Sequence, residues 1–348
     1  MNKIKRVLVA NRGEIAVRVM RTCRDLGIET VAVFSHPDRS SLHVRFATKA
    51  YCIGAALAKE SYLNINKIID VAKKSGCDAI HPGYGFLSEN AEFSQAVSDA
   101  GLIFIGPKPS SILAMATKTK ARQVMIDANV PVVPGLKQSV NSEDDALQEA
   151  IKIGFPLMLK ASSGGGGKGM RKVDRQEDFL SALRMAKSEA RNSFGNDDIY
   201  IEKYLNKPRH IEMQILADNF GNVSAFVERE CSVQRRHQKV IEESPSPFVD
   251  DAMRQKMAVV AKKAALAVDY QGAGTIEFLA DDEKNFYFME MNTRLQVEHP
   301  ITEMVTGLDL VEQQILIAEG NKLDLPDYTK HFKGWARSEE HTSELQSH

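Results

Sequence analysis

The chain of 348 residues has only four cysteines, Cys23, Cys52, Cys77 and Cys231, scattered without a CxxC pair or a histidine at metal-ligand spacing. Reduced, partly buried thiols in a cytoplasmic protein are the plain reading. Charge of one sign is lacking too: 45 Lys and Arg against 46 Asp and Glu leave a net charge of −1. That balance gives no global electrostatic reason to bind nucleic acid or an anionic membrane. Any anion must be captured locally, by placed Lys, Arg and backbone N–H groups. Nowhere does an apolar run approach the ~20 residues that span a bilayer. The opening run is basic then apolar, but it is too short for a signal peptide and is cut by Asn11-Arg12, so it reads as a first strand. Internal repeats and low-complexity linkers are absent as well. What remains is 43% hydrophobic and 26% charged residues, the balance of a soluble globular protein long enough for two or three domains.

The first third alternates strands and helices. Residues 6–10 and 30–34 read as buried strands. Ile15, Val19, Met20 and Cys23 recur at helical spacing, and Gly27 closes that helix. Ile65, Ile68, Ile69 and Ala72 mark another helix, residues 79–80 and 102–105 further strands, and Ser88 a cap for a helix beginning near Asn90. This order predicts an α/β fold with a parallel, doubly wound sheet. A helix is expected from Lys118 to about Ala128, and another starting at Ser142-Glu143-Asp144-Asp145, with a carboxylate three residues after the cap. Strands at 155–161, 170–173 and 199–204 follow, with a long helix before the last. From His210 to Met291 the pattern is mainly antiparallel strand around one long helix at 251–268.

Lys160-Ala161-Ser162-Ser163-Gly164-Gly165-Gly166-Gly167-Lys168-Gly169-Met170 lets backbone N–H groups close on phosphate oxygens. It matches G-x-G-x-x-G, but a dinucleotide fold needs a helix next, and residues 170–173 read as a strand. That disfavours a nicotinamide oxidoreductase. Nor is it a P-loop, because Gly169 stands where Ser or Thr should follow the lysine. A glycine hairpin over a nucleotide fits better than a mobile surface turn.

Residues 274–279 and 286–292 form an expected hairpin turning at 281–285. In that register Glu277 faces Glu290, and Asn292 lies on the same face. Buried like charges opposite one another destabilise a sheet, and a divalent cation with oxygen ligands removes the conflict. The competing reading is that one glutamate pairs with a lysine or turns to solvent. Arg294, Gln296 and Glu298 then alternate, so all three could point to one side of an extended segment and bind and deprotonate a small oxyanion. Alternating polar residues are also how an exposed edge looks. The run Gln234-Arg235-Arg236-His237-Gln238-Lys239 could be a solvated face, His81-Pro82-Gly83-Tyr84-Gly85 a turn, and His210 a satisfied strand histidine.

Together, Ala10-Asn11-Arg12-Gly13-Glu14-Ile15-Ala16, His81 through Asn90, Lys160 through Met170, Gln234 through Lys239 and Glu290 through Pro300 resemble the biotin carboxylases, a branch of the ATP-grasp superfamily. The resemblance runs almost to Ala336. It implies a doubly wound N-terminal domain (1–114) followed by an ATP-grasp domain (115–333) with a glycine-rich lid at about 133–204. It implies an ATP-dependent ligase that phosphorylates bicarbonate with ATP and Mg²⁺ or Mn²⁺, then carboxylates biotin on a carrier protein or domain, as the biotin carboxylase component of an acyl-CoA carboxylase. A carboxyltransferase component is the implied second partner, nucleic acid and membrane are not expected, and homo-oligomerisation is open. By the same resemblance, Lys118 and Lys160 bind phosphates, Gly166 and Gly167 lie in the glycine flap, Glu202, Lys203, Tyr204 and Leu205 read adenine, and His210 and His237 line the nucleotide site. Glu277, Glu290 and Asn292 match the metal ligands, with both glutamates also counted in the ATP site. Lys239, Arg294, Gln296 and Val297 match the bicarbonate site. Glu298 matches the base, with Arg294 also counted as catalytic.

Past Gly334-Trp335-Ala336 the family continues into a C-terminal domain that supplies a catalytic arginine and helps enclose biotin. That domain is missing here, so the chain as written is expected to be inactive in the biotin step. Residues 337–348 resemble the translation of a sequencing adapter and are expected to be a non-native tail outside the fold. The alternatives are another ATP-grasp ligase, activating a substrate carboxylate, and an inactive nucleotide-binding fragment.

Overall fold

The computed structural model describes residues 3–135, 142–161, 169–235 and 238–339. Five short strands, β1 (Arg6–Val9), β2 (Glu29–Ser35), β3 (Lys49–Gly54), β4 (Ala79–His81) and β5 (Ile103–Phe104), pair in parallel in the order β3-β2-β1-β4-β5. Helices α1 (Gly13–Asp25), α2 (Leu42–Phe46), α3 (Ile65–Lys74), α4 (Ala91–Asp99) and α5 (Pro109–Met115) connect or follow them. Alternate residues of β1 enter different cores. Val7 and Val9 pack with Ile15, Ala16 and Val19 of α1, while Leu8 packs with Ile68 and Ala72 of α3 and Phe93 and Val97 of α4. Both faces are therefore covered, as a doubly wound sheet requires. The cap of α4 differs from expectation. Asn90, not Ser88, accepts the Phe93 N–H at 2.7 Å, because Ser88 lies too early to reach the first turn.

Helix α6 (Lys118–Asp127) leads to a small lid of α7 (Glu143–Ile153), β6 (Leu157–Ala161), β7 (Met170–Val173), α8 (Phe179–Phe194) and β8 (Ile199–Lys203). Ser142 caps α7, accepting the Asp145 N–H at 3.1 Å and donating its hydroxyl to the Asp145 carboxylate at 2.7 Å. The three strands are antiparallel in the order β7-β6-β8, over a core of Leu157, Leu159, Phe179, Leu183 and Ile201. A strand, not a helix, follows the glycine run.

The remaining strands are β9 (Arg209–Ala217), β10 (Val223–Ala225), β11 (Arg229–Arg235), β12 (Gln238–Ser244), β13 (Gly272–Ala280), β14 (Phe286–Asn292) and β15 (Ala336–Glu339). They form an antiparallel sheet in the order β14-β13-β9-β11-β12-β15, with β10 also on β9. One face carries Ile211, Met213 and Ile215 of β9 and Ile276 and Phe278 of β13 onto Met253, Met257, Ala261 and Ala264 of α9 (Asp251–Ala267). The opposite face carries the polar residues described below. At one end that face turns apolar, where Leu216, Ala273, Leu295 and residues of α11 (Leu310–Ala318) share a core with β1 and α1. Helix α10 (His299–Thr306) lies just before α11.

The tail departs from expectation. Ala336, Arg337, Ser338 and Glu339 pair antiparallel with Ser244, Glu243, Glu242 and Ile241. An edge strand offers unpaired backbone groups, so β12 can take a neighbour whose side chains have no apolar pattern. Residues 340–348 lie outside the described residues.

Candidate active site

Strand register lines up one cross-strand row on the polar face. Arg229 of β11 lies opposite Glu212 of β9, which lies opposite Glu277 of β13, which lies opposite Glu290 of β14. The next row is Gln214, Thr275 and Asn292. Strict alternation from the turn would send Glu290 and Asn292 to the same side as Phe286 and Phe288. A β-bulge between those pairs reverses the sides, so Phe288 and Met291 both reach the core on α9 while Glu290 and Asn292 join the polar face.

Three neighbouring carboxylates are tolerable only with cations among them. Lys239 of β12 supplies one, its Nζ lying 2.6 Å from Glu212, 2.9 Å from Glu277 and 2.6 Å from Glu298. Burial alone would lower the Lys239 ammonium, but Glu212, Glu277 and Glu298 together hold it well above the usual lysine range. Burial likewise works against ionised Glu212, but Lys239 and then Arg229 outweigh it and hold that acid down to about 2. Glu277, 3% exposed, is also held below the usual carboxylate range against burial, by Lys239 and His210. Its Oε1 accepts from Lys239, from Asn292 Nδ2 at 2.8 Å and from Gln296 Nε2 at 2.8 Å.

His210 Nε2 stands 2.8 Å from Glu277 Oε2, too poorly aligned for a hydrogen bond but close enough for strong attraction. The Gln234 amide reaches His210 Nδ1 at 3.0 Å, which places the ring proton on Nε2 when the histidine is neutral. Burial lowers the His210 pKa, Glu277 more than offsets it, and the net shift is upward.

Glu277 is thus neutralised by a lysine, the competing reading at the hairpin. The case for a metal rests instead on Glu290. This half-buried carboxylate takes no hydrogen bond or ion pair from the described residues, and burial followed by the charge of Glu277 pushes its acid up. An oxygen-only set of Glu290, Glu277 and Asn292 fits a hard divalent cation shared with substrate phosphates.

The segment after β14 bends and does not extend, so convergence there comes from a turn and not from alternation. Arg294 reaches back to Asn292 Oδ1 at 3.1 Å and pairs with Glu89 at 2.9 Å. Gln296 and Glu298 meet at Lys239 and Glu277, with half-buried Val297 between them in the turn. His299 Nδ1 donates to the Gln296 carbonyl at 2.7 Å and pins this turn. Burial pushes the His299 ring down to about 3, so it stays neutral.

Across from this face, on the lid, Lys160 of β6 pairs with Glu202 of β8, and Arg122 of α6 approaches the same carboxylate at 3.3 Å. Lys118 is exposed at the start of α6, near enough to Glu290 for its charge to favour that carboxylate. Lys203 sits on the face of the lid's own core. Its ammonium donates to the carbonyls of Gly154 and Phe155 at 2.9 Å each, so its charge satisfies the end of α7 and points away from Lys160. Tyr204 lies under Lys172, whose Nζ is 4.6 Å from the ring centroid, and half-buried Leu205 follows. Gly166, Gly167 and His237 lie outside the described residues.

Sequence reasoning missed Arg229, Glu212, Arg122 and Glu89. For Glu212 a signal existed: His210, Glu212 and Gln214 alternate with Ile211, Met213 and Ile215, a polar stripe on an otherwise apolar strand. Arg229, Arg122 and Glu89 meet the site through tertiary contacts that no local pattern announces.

Two family patterns match the chain: "Biotin carboxylase, N-terminal domain" over residues 3–112 and "Carbamoyl-phosphate synthase L chain, ATP binding domain" over residues 117–326. The chain is 52% identical over 334 residues to Biotin carboxylase 1 of Bacillus subtilis, covering 96% of this chain and 74% of that one. It is 54% identical over 322 residues to the mitochondrial methylcrotonoyl-CoA carboxylase subunit alpha of Dictyostelium discoideum, covering 92% of this chain and 46% of that one. Among solved structures, it resembles the biotin carboxylase domain dimer of Hydrogenobacter thermophilus 2-oxoglutarate carboxylase in complex with MgADP, ADP and bicarbonate. The TM-score is 0.87 at 44% identity, covering 97% of this chain and 74% of that one. No helix among the described residues is long and apolar enough to cross a membrane.

Proposed function

Because this chain belongs to the biotin carboxylase family of ATP-dependent ligases, we propose that the charged face of its antiparallel sheet activates bicarbonate with ATP for the carboxylation of biotin. The observation that carries the assignment is the Lys239 ammonium bridging Glu212, Glu277 and Glu298, with the Gln296 amide beside them. Lys239 is held so firmly protonated that it cannot serve as a base. It anchors carboxylates and attracts an anion. Glu298 is 3% exposed and, among the described residues, only its Oε1 is engaged. Its other oxygen is left to take the proton of bicarbonate.

Arg294, Gln296, Val297 and Lys239 hold the bicarbonate. Its oxygen attacks the γ-phosphorus of ATP, the bond to the ADP oxygen breaks, and carboxyphosphate and ADP result. Lys118, Lys160, His210 and His237 line the phosphate path. Glu202, Lys203, Tyr204 and Leu205 form the adenine edge, and Gly166 and Gly167 close over the phosphates. Mg²⁺, when bound, neutralises phosphate charge, and Glu277, Glu290 and Asn292 are the residues that would hold it.

The partners of this reading are a biotin carrier protein or domain and a carboxyltransferase component, as in an acyl-CoA carboxylase. All four cysteines are free thiols, three of them buried, which supports a reducing compartment such as the cytoplasm. The test is ADP formation by the chain with MgATP. It should rise with bicarbonate and saturate, and ADP formation that ignores bicarbonate would contradict the assignment.

A further inference from the structure

Arg229 has no exposed surface and is the largest fully buried side chain among the described residues. A guanidinium has five N–H donors, and here every one is used. Nε donates to Glu212 Oε1 at 2.5 Å. Nη1 donates to Gln214 Oε1 at 2.8 Å and Thr302 Oγ1 at 3.0 Å. Nη2 donates to Thr275 Oγ1 at 3.1 Å and Gln296 Oε1 at 2.8 Å. The acceptors come from β9, β13, α10 and the turn before α10, so one rigid fork ties four segments together.

The consequence for Gln296 is specific. Arginine can only donate, so the amide oxygen must face Arg229. Ionised Glu277 can only accept, so the amide nitrogen must face Glu277, 2.8 Å away. Both neighbours dictate the same amide orientation, and the second N–H of Gln296 has no acceptor among the described residues. On the other arm, Arg229 takes Glu212 Oε1 while Lys239 takes Glu212 Oε2 at 2.6 Å. Glu212 is thereby fixed between the two cations, and Lys239 is aimed at Glu277 and Glu298.

We propose that Arg229 is a positioning residue for the reaction: it sets the Gln296 amide so that an N–H is presented to bicarbonate, and it fixes Glu212 as the anchor of Lys239. The proposal rests on the reading of Gln296 as a bicarbonate ligand. A lysine at this position keeps the charge but has one nitrogen with three donors, which cannot reach acceptors on four segments. Supporting residues of this kind act by holding binding groups within a fraction of an ångström of their working geometry.

The experiment titrates ¹³C-bicarbonate by NMR against the whole chain and against Arg229→Lys, Gln296→Ala and the double variant, with MgADP affinity measured on each. Arg229→Lys is expected to weaken bicarbonate roughly tenfold or more and leave MgADP within about twofold. In the Gln296→Ala background, Arg229→Lys should add little, because the group it orients is gone. Wild-type bicarbonate affinity in Arg229→Lys, equal loss of bicarbonate and MgADP binding, or full additivity in the double variant would overturn the proposal. Unchanged bicarbonate affinity in Gln296→Ala would instead overturn the assignment of Gln296, and this proposal with it. Should Arg229→Lys not fold, Thr302→Val carries the test by removing one acceptor of the fork. A smaller bicarbonate-selective loss supports the positioning role, and wild-type affinity overturns it.

Discussion

The parallel sheet of β1 to β5 is apolar on both sides, with neighbouring residues of β1 entering separate cores. The antiparallel sheet of β9 to β15 is apolar only toward α9 and sets Arg229, Glu212, Glu277 and Glu290 side by side on its other face. In the first sheet each buried side chain adds stability directly, by leaving water. In the second, each buried charge costs desolvation and is tolerated only because Lys239, Arg229 and His210 are interleaved with the carboxylates. The comparison teaches that burial alone does not mark a structural residue. Glu277 and Phe93 are both buried, yet only Glu277 has partners on three other segments of the site.

Substitutions can break that comparison. The largest effect is expected from Glu277→Ala, which removes the common acceptor of Lys239, Gln296 and Asn292. Steady-state ATP turnover with Mg²⁺ and bicarbonate should fall by ~10²–10³ or more. Phe93→Ala in the parallel sheet should show the reverse, a loss of about 3–5 kcal/mol in denaturant unfolding with the rate per folded molecule kept. A turnover defect in Phe93→Ala as deep as that of Glu277→Ala would erase the distinction.

Acidification sharpens it. Glu212 is held down to about 2 in the fold, below its ordinary value of about 4.3. Its ionic stabilisation is therefore present above that ordinary value and lost as pH falls toward about 2. Between those limits the melting temperature of the wild-type chain should fall more steeply than that of Glu212→Gln. Parallel curves would show that Glu212 titrates normally. The smallest effect belongs to the periphery of the first sheet: Asn64→Ala removes the cap that accepts the Lys67 N–H at 3.1 Å and should cost ~1 kcal/mol with no change in turnover.

The doubly wound sheet was legible because apolar periodicity, glycine stops and short strands agree there. So was the Glu277–Glu290 pairing, since the turn at 281–285 sets the register, although the bulge that places Glu290 on the polar face leaves no mark in the sequence. The Gln296–Glu298 convergence was reached by the wrong route, an assumed extended strand where the chain turns and is pinned by His299. Arg229 was invisible because nothing near it in sequence shows that Gln296 and Thr302 lie 67 and 73 residues away along the chain. The strand at 336–339 was dismissed for its polar side chains, but edge pairing is made by backbone.

The central claim is that Glu298, held by Lys239, takes the proton from bicarbonate before phosphoryl transfer. The most direct measurement is the bicarbonate dependence of ADP release by Glu298→Gln beside the wild-type chain, with MgADP affinity as the folding control. An isosteric amide keeps a partner for Lys239 but cannot accept the proton. The variant should bind MgADP normally and lose the bicarbonate-dependent part of ADP release. Retention of that dependence at the wild-type rate would contradict the account and require the base to lie elsewhere.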